Sequence, residues 1–202
     1  MPEFIRYPVR DRESWEFYKS RTASTAGSMS IDDVEDQCRA LDDRDKPLAI
    51  GAGGTYSNLR GLMGTEDASY TLLEDPELVH ELVAMSLDHV RQNVFPLIER
   101  LRPEIVHTGE DLCYNHGMLL SPKLFKEYYG AYYREICDFA FANGVEIVAI
   151  DTDGNKMEFA PLAHSYGVNA MYPSEVKAGN DLFILREQLP DMVFFGWLEK
   201  EV

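Results

Sequence analysis

The sequence predicts a parallel α/β fold of the (β/α)8 barrel type, with about five β/α units in its 202 residues. Five short apolar segments alternate with helical segments, as is typical of parallel strands joined by helical crossovers. The apolar segments are continuous rather than alternating, which indicates strands buried on both faces. Several end in acidic residues, and carboxylates at strand ends favour a barrel over a doubly wound sheet. A complete barrel needs about 250 residues, so this one is predicted to be incomplete.

The first part of the chain contains three short helical segments, one strand and a long helix. Short helices are predicted in RDRESWEFYKSR and in SIDDVEDQCRALDDR, the second beginning at Ser30. PLAIG is predicted to form the first strand, followed by the glycine-rich turn GAGG and a helix in TYSNLRGLMG. The long helix begins with Asp75 as N-cap and Pro76 as its first residue. Pro96 is expected to kink its last turns.

Four more strands follow, separated by helices. The strands are predicted in EIVHTGE, VEIVAIDTD, NAMYPSE and MVFFGWL. Ser121 and Pro122 begin the helix after the first of these, and Asn143 and Gly144 end it. The two remaining helices are predicted in KMEFAPLAHSYG and DLFILREQL. The pattern therefore continues the strand–helix repeat to the end of the sequence.

Composition excludes several classes of function. A net charge of -16 argues against a nucleic-acid partner, because nucleic-acid binders usually carry a basic surface. No apolar segment reaches the roughly 18 residues of a membrane span, and the charged N-terminus does not resemble a signal peptide. The three cysteines are widely spaced and are expected to be reduced thiols. A cytoplasmic protein without a membrane partner is predicted.

Most residues capable of chemistry follow the predicted strands. They are His107, Glu110, Asp111, Cys113, Tyr114 and His116 after the second strand, Asp151 and Asp153 after the third, Tyr172 and Glu175 after the fourth, and Trp197 and Glu199 after the fifth. Because parallel strands end at one edge of a sheet, these side chains are expected to meet in one cleft. Repulsion among the carboxylates there requires a cation, a shared proton or a cationic substrate group.

The segment IDTDGN places Asp151 and Asp153 on the same side of a strand. An EF-hand is excluded, because Gly154 comes at position 4 instead of 6 and no glutamate lies twelve residues on. The segment also matches the DxDG signature of haloacid-dehalogenase phosphatases, in which the first aspartate is the nucleophile and the second the acid/base. That alternative requires a downstream lysine. The candidates are Lys156, Lys177 and Lys200.

Four segments together resemble the uroporphyrinogen decarboxylase superfamily. They are GTYSNLRGLMGTEDASYTLLEDPELV, GEDLCYNHGMLLSPKLF, IDTDGN and MYPSEVKAGNDLFILREQLP, in this order and spacing. The likeness covers nearly the whole chain. The superfamily contains uroporphyrinogen decarboxylases and corrinoid-dependent methyltransferases that act on methanol, methylamines or methoxyaromatics. The resemblance implies a (β/α)8 barrel with its active site in the C-terminal cleft. It also implies that residues 1–202 form a single domain lacking the N-terminal strands and the last barrel strand.

The resemblance implies either methyl transfer or porphyrin decarboxylation. Zinc-dependent methyltransferases of the superfamily carry a His-x-Cys pair where this sequence has Asp151-Thr152-Asp153, so no zinc–thiolate site is expected. A divalent metal, either zinc or a harder ion, would be held by Asp151, Asp153, His107 and Glu110. A decarboxylase of porphyrins needs a basic cleft. The acidic strand ends favour a diverged methyltransferase that passes a methyl group from a small substrate to a corrinoid carried by a partner protein.

These considerations predict a set of site residues and a quaternary arrangement. The predicted catalytic residues are Asp151, Asp153, Glu110 and Asp111, and the predicted substrate-binding residues are Arg60, His107, Tyr114, His116, Tyr172 and Glu175. An incomplete barrel leaves open sheet edges, which proteins normally cover. A homo-oligomer that covers these edges is therefore expected, and an inactive, truncated barrel is the alternative.

Overall fold

A computed structural model describes residues 6–23 and 31–198 of the chain. Ser30, Glu199 and Lys200, which enter the predictions above, lie outside these ranges. The described residues form one parallel sheet, a small antiparallel hairpin and a series of helices. None of the described helices has both the length and the apolar character that a membrane span requires.

The main sheet contains five parallel strands. They are β1 (Ala49–Gly51), β2 (Ile105–Gly109), β5 (Ile147–Asp151), β6 (Ala170–Ser174) and β7 (Val193–Gly196), in the spatial order β1-β2-β5-β6-β7. All five predicted strands are confirmed. Within the described residues the order follows the chain without the reversal of a doubly wound sheet, so the sheet is compatible with part of a barrel. β1 and β7 are its outer strands, and the homo-oligomer covering these edges stays a prediction.

The helices are α1 to α10, with one π-helical turn. Their bounds are α1 Arg12–Ala23, α2 Ile31–Arg39, α3 Thr55–Met63, α4 Thr65–Glu74, α5 Pro76–His89, the π-helical turn Val90–Val94, α6 Phe95–Leu101, α7 Pro122–Tyr128, α8 Gly130–Ala142, α9 Phe159–His164 and α10 Leu182–Gln188. The hairpin consists of β3 (Cys113–Tyr114) and β4 (Gly117–Met118). Neither α4 nor the hairpin was predicted from the sequence.

Local signals account for the starts of α5 and α7. The side chain of Asp75 accepts a hydrogen bond from the N–H of Leu78 at 3.1 Å, and Pro76 follows it as predicted. Ser121 caps α7 in the same manner. The distortion expected at Pro96 takes the form of the π-helical turn directly before it, since proline has no N–H for the regular helical ladder.

The single helix predicted after Ser121 is wrong, because the structure contains two helices, α7 and α8. The break lies between Tyr128 and Gly130. A Cβ atom at Gly130 would lie 2.4 Å from Cζ of Tyr166, so a glycine is required where this ring approaches the backbone. Glycine also favours helices poorly, which is consistent with a break here.

Burial of the strands changes towards their carboxyl ends. Ala149 and Ala170 are buried on one face and Val148 and Met171 on the other, so this part of β5 and β6 is covered on both faces, as predicted. Further along, His107, Asp151 and Tyr172 are only half-buried. Asp151 pairs in register with Gly109 on one side and Tyr172 on the other, and His107 precedes Gly109 by two residues. These three side chains therefore lie on one face of the sheet, near its carboxyl edge.

The N-terminal helix α1 is attached to α5 through the carboxylate of Glu81. Glu81 accepts hydrogen bonds from Lys19, from Nε1 of Trp15 at 2.8 Å and from Nη1 of Arg12 at 2.6 Å. Trp15 is fully buried between the helices. The hydrogen bonds from Lys19, Trp15 and Arg12 lower the pKa of Glu81 to about 2. The ionised form of Glu81 is therefore favoured in the folded chain.

Stability should depend on pH through Glu81. A carboxyl group whose pKa is lowered by folding stabilises the folded state above its ordinary pKa, and this contribution is lost as the pH falls towards the folded value. We expect the free energy of unfolding to fall between pH 5 and pH 2, and to fall less steeply in Glu81→Gln. Urea unfolding at several pH values measures this. Glu127→Gln, an exposed glutamate on α7, serves as the control. An equal pH dependence in Glu81→Gln and the wild type would contradict the assignment.

Candidate functional site

A cleft of about 250 Å³ opens at the carboxyl edge of the sheet, where β2 and β5 end. Its wall is formed by Gly109, Glu110, Asp111, Asp151, Thr152 and Asp153. The N–H groups of Glu110 and Asp111 donate to the carbonyl oxygen of Asp151 at 2.9 Å and 3.3 Å, which holds the two strand ends side by side. The acidic residues predicted after the second and third strands thus meet at one place.

Three residues of IDTDGN attach the loop after β5 to its neighbours. The hydroxyl of Thr152 accepts hydrogen bonds from the N–H groups of Leu112 and Cys113, both at 2.8 Å. The N–H of Asn155 donates to the carbonyl oxygen of Tyr114 at 2.8 Å. Gly154 has a φ of +80°, and a Cβ atom there would lie 2.5 Å from the backbone of Tyr114. The hairpin β3–β4 is therefore packed directly onto this loop.

The two aspartates of IDTDGN contribute to the cleft wall instead. Asp151 is half-buried and Asp153 is exposed. Burial raises the pKa of Asp151, and the negative charges of Asp153 and Asp111 raise it further, while His107 and Lys156 act in the opposite direction. Asp151 therefore retains its proton to a higher pH than an ordinary aspartate. This makes Asp151 the carboxyl group of the cleft best suited to donate a proton.

Glu110 has a structural function in the observed geometry. It is fully buried, and its carboxylate accepts the N–H groups of Thr55 and Tyr56 at 2.9 Å and that of Ser57 at 3.1 Å. The hydroxyl of Tyr133 also donates to it. Burial raises the pKa of Glu110, and these hydrogen bonds act against that effect. Glu110 thus satisfies the free N–H groups at the start of α3, and its predicted catalytic role stays a prediction.

His107 and Tyr172 form a pair beside Asp151. The hydroxyl of Tyr172 lies 3.2 Å from Nδ1 of His107, within hydrogen-bonding distance. Burial and the negative charge of Asp151 raise the pKa of Tyr172, so its hydroxyl keeps its proton. Because both side chains lie on the same face as Asp151, they are placed to contact a molecule bound against that face. This position is consistent with the predicted substrate-binding role.

Arg60 is paired with Asp111 at the edge of the cleft. Nη1 of Arg60 donates to the carbonyl oxygen of Asp111 at 2.6 Å and to its Oδ2 at 2.9 Å. The guanidinium also lies over the ring of Tyr56, at 5.7 Å from its centre. Asp111 has a φ of +47°, which is uncommon for a residue other than glycine. Arg60 thus offsets much of the negative charge that Asp111 brings to the edge of the cleft.

Three other predicted site residues lie outside the cleft wall. Tyr114 and His116 are exposed on the hairpin, with ring centres 5.6 Å apart. Glu175 accepts the N–H of Gly154 at 2.6 Å through its Oε2. Tyr114 and His116 are thus available at the surface near the loop after β5, whereas Glu175 contributes to holding that loop. Their predicted contacts with a substrate stay predictions.

The four residues predicted as metal ligands do not fit a metal centre as they are arranged. Among the described residues, no group of three or more His, Cys, Asp or Glu side chains is placed to hold one metal ion. The oxygens of Glu110 are occupied by the start of α3. His107 contacts Tyr172 through Nδ1. Two of the four predicted ligands thus already have hydrogen-bond partners in the folded chain.

Sequence reasoning considered Lys156 only as the lysine of the phosphatase alternative, and it did not place Asn180 in the site. Lys156 is fully buried, and Nζ donates hydrogen bonds to the carbonyl oxygens of Pro173 and Gly154. Asn180 is also buried and accepts the N–H of Lys156 at 2.9 Å. Its position directly after IDTDGN made Lys156 a candidate in the sequence, but only for phosphatase chemistry. No sequence pattern points to Asn180, because its contacts form only when a separate loop folds onto the loop after β5.

Comparison with known proteins gives a likeness at the level of the fold. Neither the family models nor the curated proteins give a match. Among solved structures, the chain is similar to a methyltransferase from Methanosarcina mazei, with a TM-score of 0.54 and 14% sequence identity. The similar region covers 70% of this chain and 40% of the methyltransferase chain. At this identity the likeness concerns the fold alone.

Replacing Glu110 should reveal its structural function. In Glu110→Ala, three backbone N–H groups and the hydroxyl of Tyr133 lose their acceptor in a buried place. We expect the free energy of unfolding to fall by more than about 2 kcal/mol, as measured by urea unfolding. Glu99→Ala, at an exposed glutamate of α6, is the control and should change little. Equal losses in the two variants would show that Glu110 does not hold α3.

Proposed function

We propose that this chain is part of a methyltransferase-type barrel of the uroporphyrinogen decarboxylase superfamily. In this proposal it transfers a methyl group from a small methylated substrate to a corrinoid held by a partner protein. The observation that carries the proposal is the cleft at the carboxyl edge of the sheet, where Asp151 and Asp153 meet beside His107 and Tyr172. Active sites of parallel α/β barrels lie at this edge.

Two further observations support the proposal. The four sequence segments that resemble the superfamily include α3, the hairpin β3–β4, the end of β5 and the segment from β6 to α10. All four therefore contribute to the carboxyl edge of the sheet or to the loops beside it. The fold is similar to that of a methyltransferase, although this chain spans 40% of that protein's length.

The size of the cleft suits a small substrate. Its volume of about 250 Å³ is below the range of roughly 300–1,000 Å³ that is common for drug-sized ligands. A corrinoid is much larger, so in this proposal it stays on the partner protein and approaches the mouth of the cleft. When bound there, it supplies the nucleophile that accepts the methyl group.

The residues of the cleft can assist the departure of the leaving group, which is the part of the substrate that remains after the methyl group is transferred. Methyl transfer breaks the bond between the methyl carbon and an oxygen, nitrogen or sulfur atom, and leaves the electron pair on that atom. Asp151 donates its proton to this atom, so that the second product leaves as an alcohol, amine or thiol. The raised pKa of Asp151 keeps this proton available over a wider pH range. His107 and Tyr172 orient the substrate from the adjoining part of the same face.

Porphyrin decarboxylation is less compatible with the cleft. A polyanionic porphyrin would meet the acidic wall of the cleft, which includes Asp153. Arg60, the predicted partner for a substrate carboxylate, already pairs with Asp111. Binding such a substrate would require separation of that ion pair in addition to the repulsion. Methyl transfer from a small, uncharged or cationic substrate avoids both effects.

The proposed role of Asp151 is tested by a methyl-transfer assay. The chain is incubated with chemically reduced cobalamin and with methanol, methylamine or methoxybenzene, and the formation of methylcobalamin is followed by absorbance. We expect activity in the wild type with at least one donor. Asp151→Asn should reduce the rate about 100-fold, because it removes the proton donor.

The matched control is Asp191→Asn. Asp191 is exposed and precedes β7, so it lies at the opposite edge of the sheet from the cleft. Its replacement should leave the rate unchanged. Absence of methylcobalamin with all three donors would overturn the proposal. Release of carbon dioxide from uroporphyrinogen in a parallel incubation would instead favour the decarboxylase alternative.

A further inference from the structure

The loop after β5 is attached to the loop after β6 by a buried polar network. We call this network the clasp. It consists of Gly154, Lys156, Pro173, Glu175 and Asn180. Nζ of Lys156 donates to the carbonyl oxygen of Pro173 and, at 3.5 Å, to that of Gly154. The side chain of Asn180 donates to the carbonyl oxygens of Gly154 at 3.0 Å and Glu175 at 2.8 Å. The two loops are thus connected through both side chains.

Lys156 is an unusual component of such a network. It is fully buried, and moving an ammonium group out of water is costly unless hydrogen bonds and opposite charges compensate. Burial lowers the pKa of Lys156, and the negative charges of Glu175, Asp153 and Asp151 oppose this effect. The ammonium group is therefore attracted from behind to the same aspartates that form the cleft wall.

The clasp acts on the residue that follows Asp153. Both backbone polar groups of Gly154 are used, since its N–H donates to Glu175 and its carbonyl oxygen accepts from Lys156 and Asn180. Asp153 lies between this fixed glycine and Thr152, which is held by the N–H groups of Leu112 and Cys113. The position of Asp153 therefore depends on contacts on both sides of it in the chain.

From this geometry we infer that Lys156 is a positioning residue for Asp151 and Asp153. Its buried ammonium group fixes the loop after β5 onto the end of β6 and places a positive charge close to the loop that contains Asp153. The inference rests on the proposed function, in which the two aspartates act on the substrate. Lys156 itself lies outside the cleft wall, so it acts through the aspartates. Displacement of a reacting group by about 1 Å can cost up to about 100-fold in rate.

The replacement Lys156→Met separates positioning from general stability. Methionine has a similar length but neither charge nor hydrogen-bond donors. The cost of burying the ammonium group disappears with it, and this offsets the loss of its hydrogen bonds in the global stability. Loss of the Nζ hydrogen bonds should nevertheless release the loop locally. Local opening and global unfolding are distinguished by native-state hydrogen exchange.

The experiment measures amide exchange and kinetics in Lys156→Met. We expect the amides of Gly154 and Asn155 to exchange at least about tenfold faster, while those of the β2–β5 ladder and the urea midpoint of unfolding stay unchanged. In the methyl-transfer assay, kcat should fall about tenfold with little change in KM, because the aspartates are misplaced while substrate contacts remain. Lys126→Met, at an exposed lysine of α7, should behave as the wild type.

Two results would overturn the inference. One is unchanged exchange at Gly154 and Asn155, and the other is a uniform increase across all amides, which indicates a purely structural role. If Lys156→Met does not fold, nitrogen-15 NMR of the wild type decides, because a buried, hydrogen-bonded ammonium group gives a protected resonance. Its absence would overturn the inference. A wild type without methyl transfer would overturn the proposed function, whereas the exchange result would still decide the role of Lys156.

Discussion

The site depends on the hydrogen bonds that the buried carboxylate of Glu110 accepts. This carboxylate connects the end of β2 to the start of α3 and to Tyr133 of α8, which are distant in sequence. Because unpaired N–H groups at the start of a helix are costly when buried, this contact fixes where α3 begins relative to the sheet. The position of α3 in turn brings Arg60 to Asp111. One wall of the cleft is thus determined by a residue that has no free oxygen for a substrate.

The other wall depends on IDTDGN, whose residues have two different functions. Thr152 and Gly154 are held by the backbone of the hairpin and the side chain of Glu175, whereas Asp151 and Asp153 form the wall of the cleft. The same strand end therefore provides both the attachment and the acidic groups. Burial and the neighbouring negative charges raise the pKa of Asp151, and the positive charge of Lys156 acts against this effect.

The sequence contained enough local information for the strands, the starts of the helices at Asp75 and Ser121, and the meeting of the acidic strand ends. These features depend on short segments and on the rule that parallel strands end at one edge. The remaining features depend on contacts between distant residues. Glu110 caps a helix that begins 55 residues earlier, and the close approach of the Tyr166 ring explains the glycine at position 130. Such contacts leave no periodic pattern in the sequence. From the sequence alone, a carboxylate that caps a helix therefore cannot be distinguished from one that contacts a substrate.

The alternation of attached and cleft-facing residues in IDTDGN constrains the length of the segment. Side chains of an extended segment alternate between two sides, so insertion or deletion of one residue would exchange the two sets. The threonine hydroxyl would then turn away from the hairpin, and an aspartate would meet the N–H groups of Leu112 and Cys113. A substitution at Asp151 or Asp153 alters the chemistry and leaves the attachment in place. A change of length removes both the attachment and the acidic groups of the cleft. The number of residues in this segment is therefore as important as their identity.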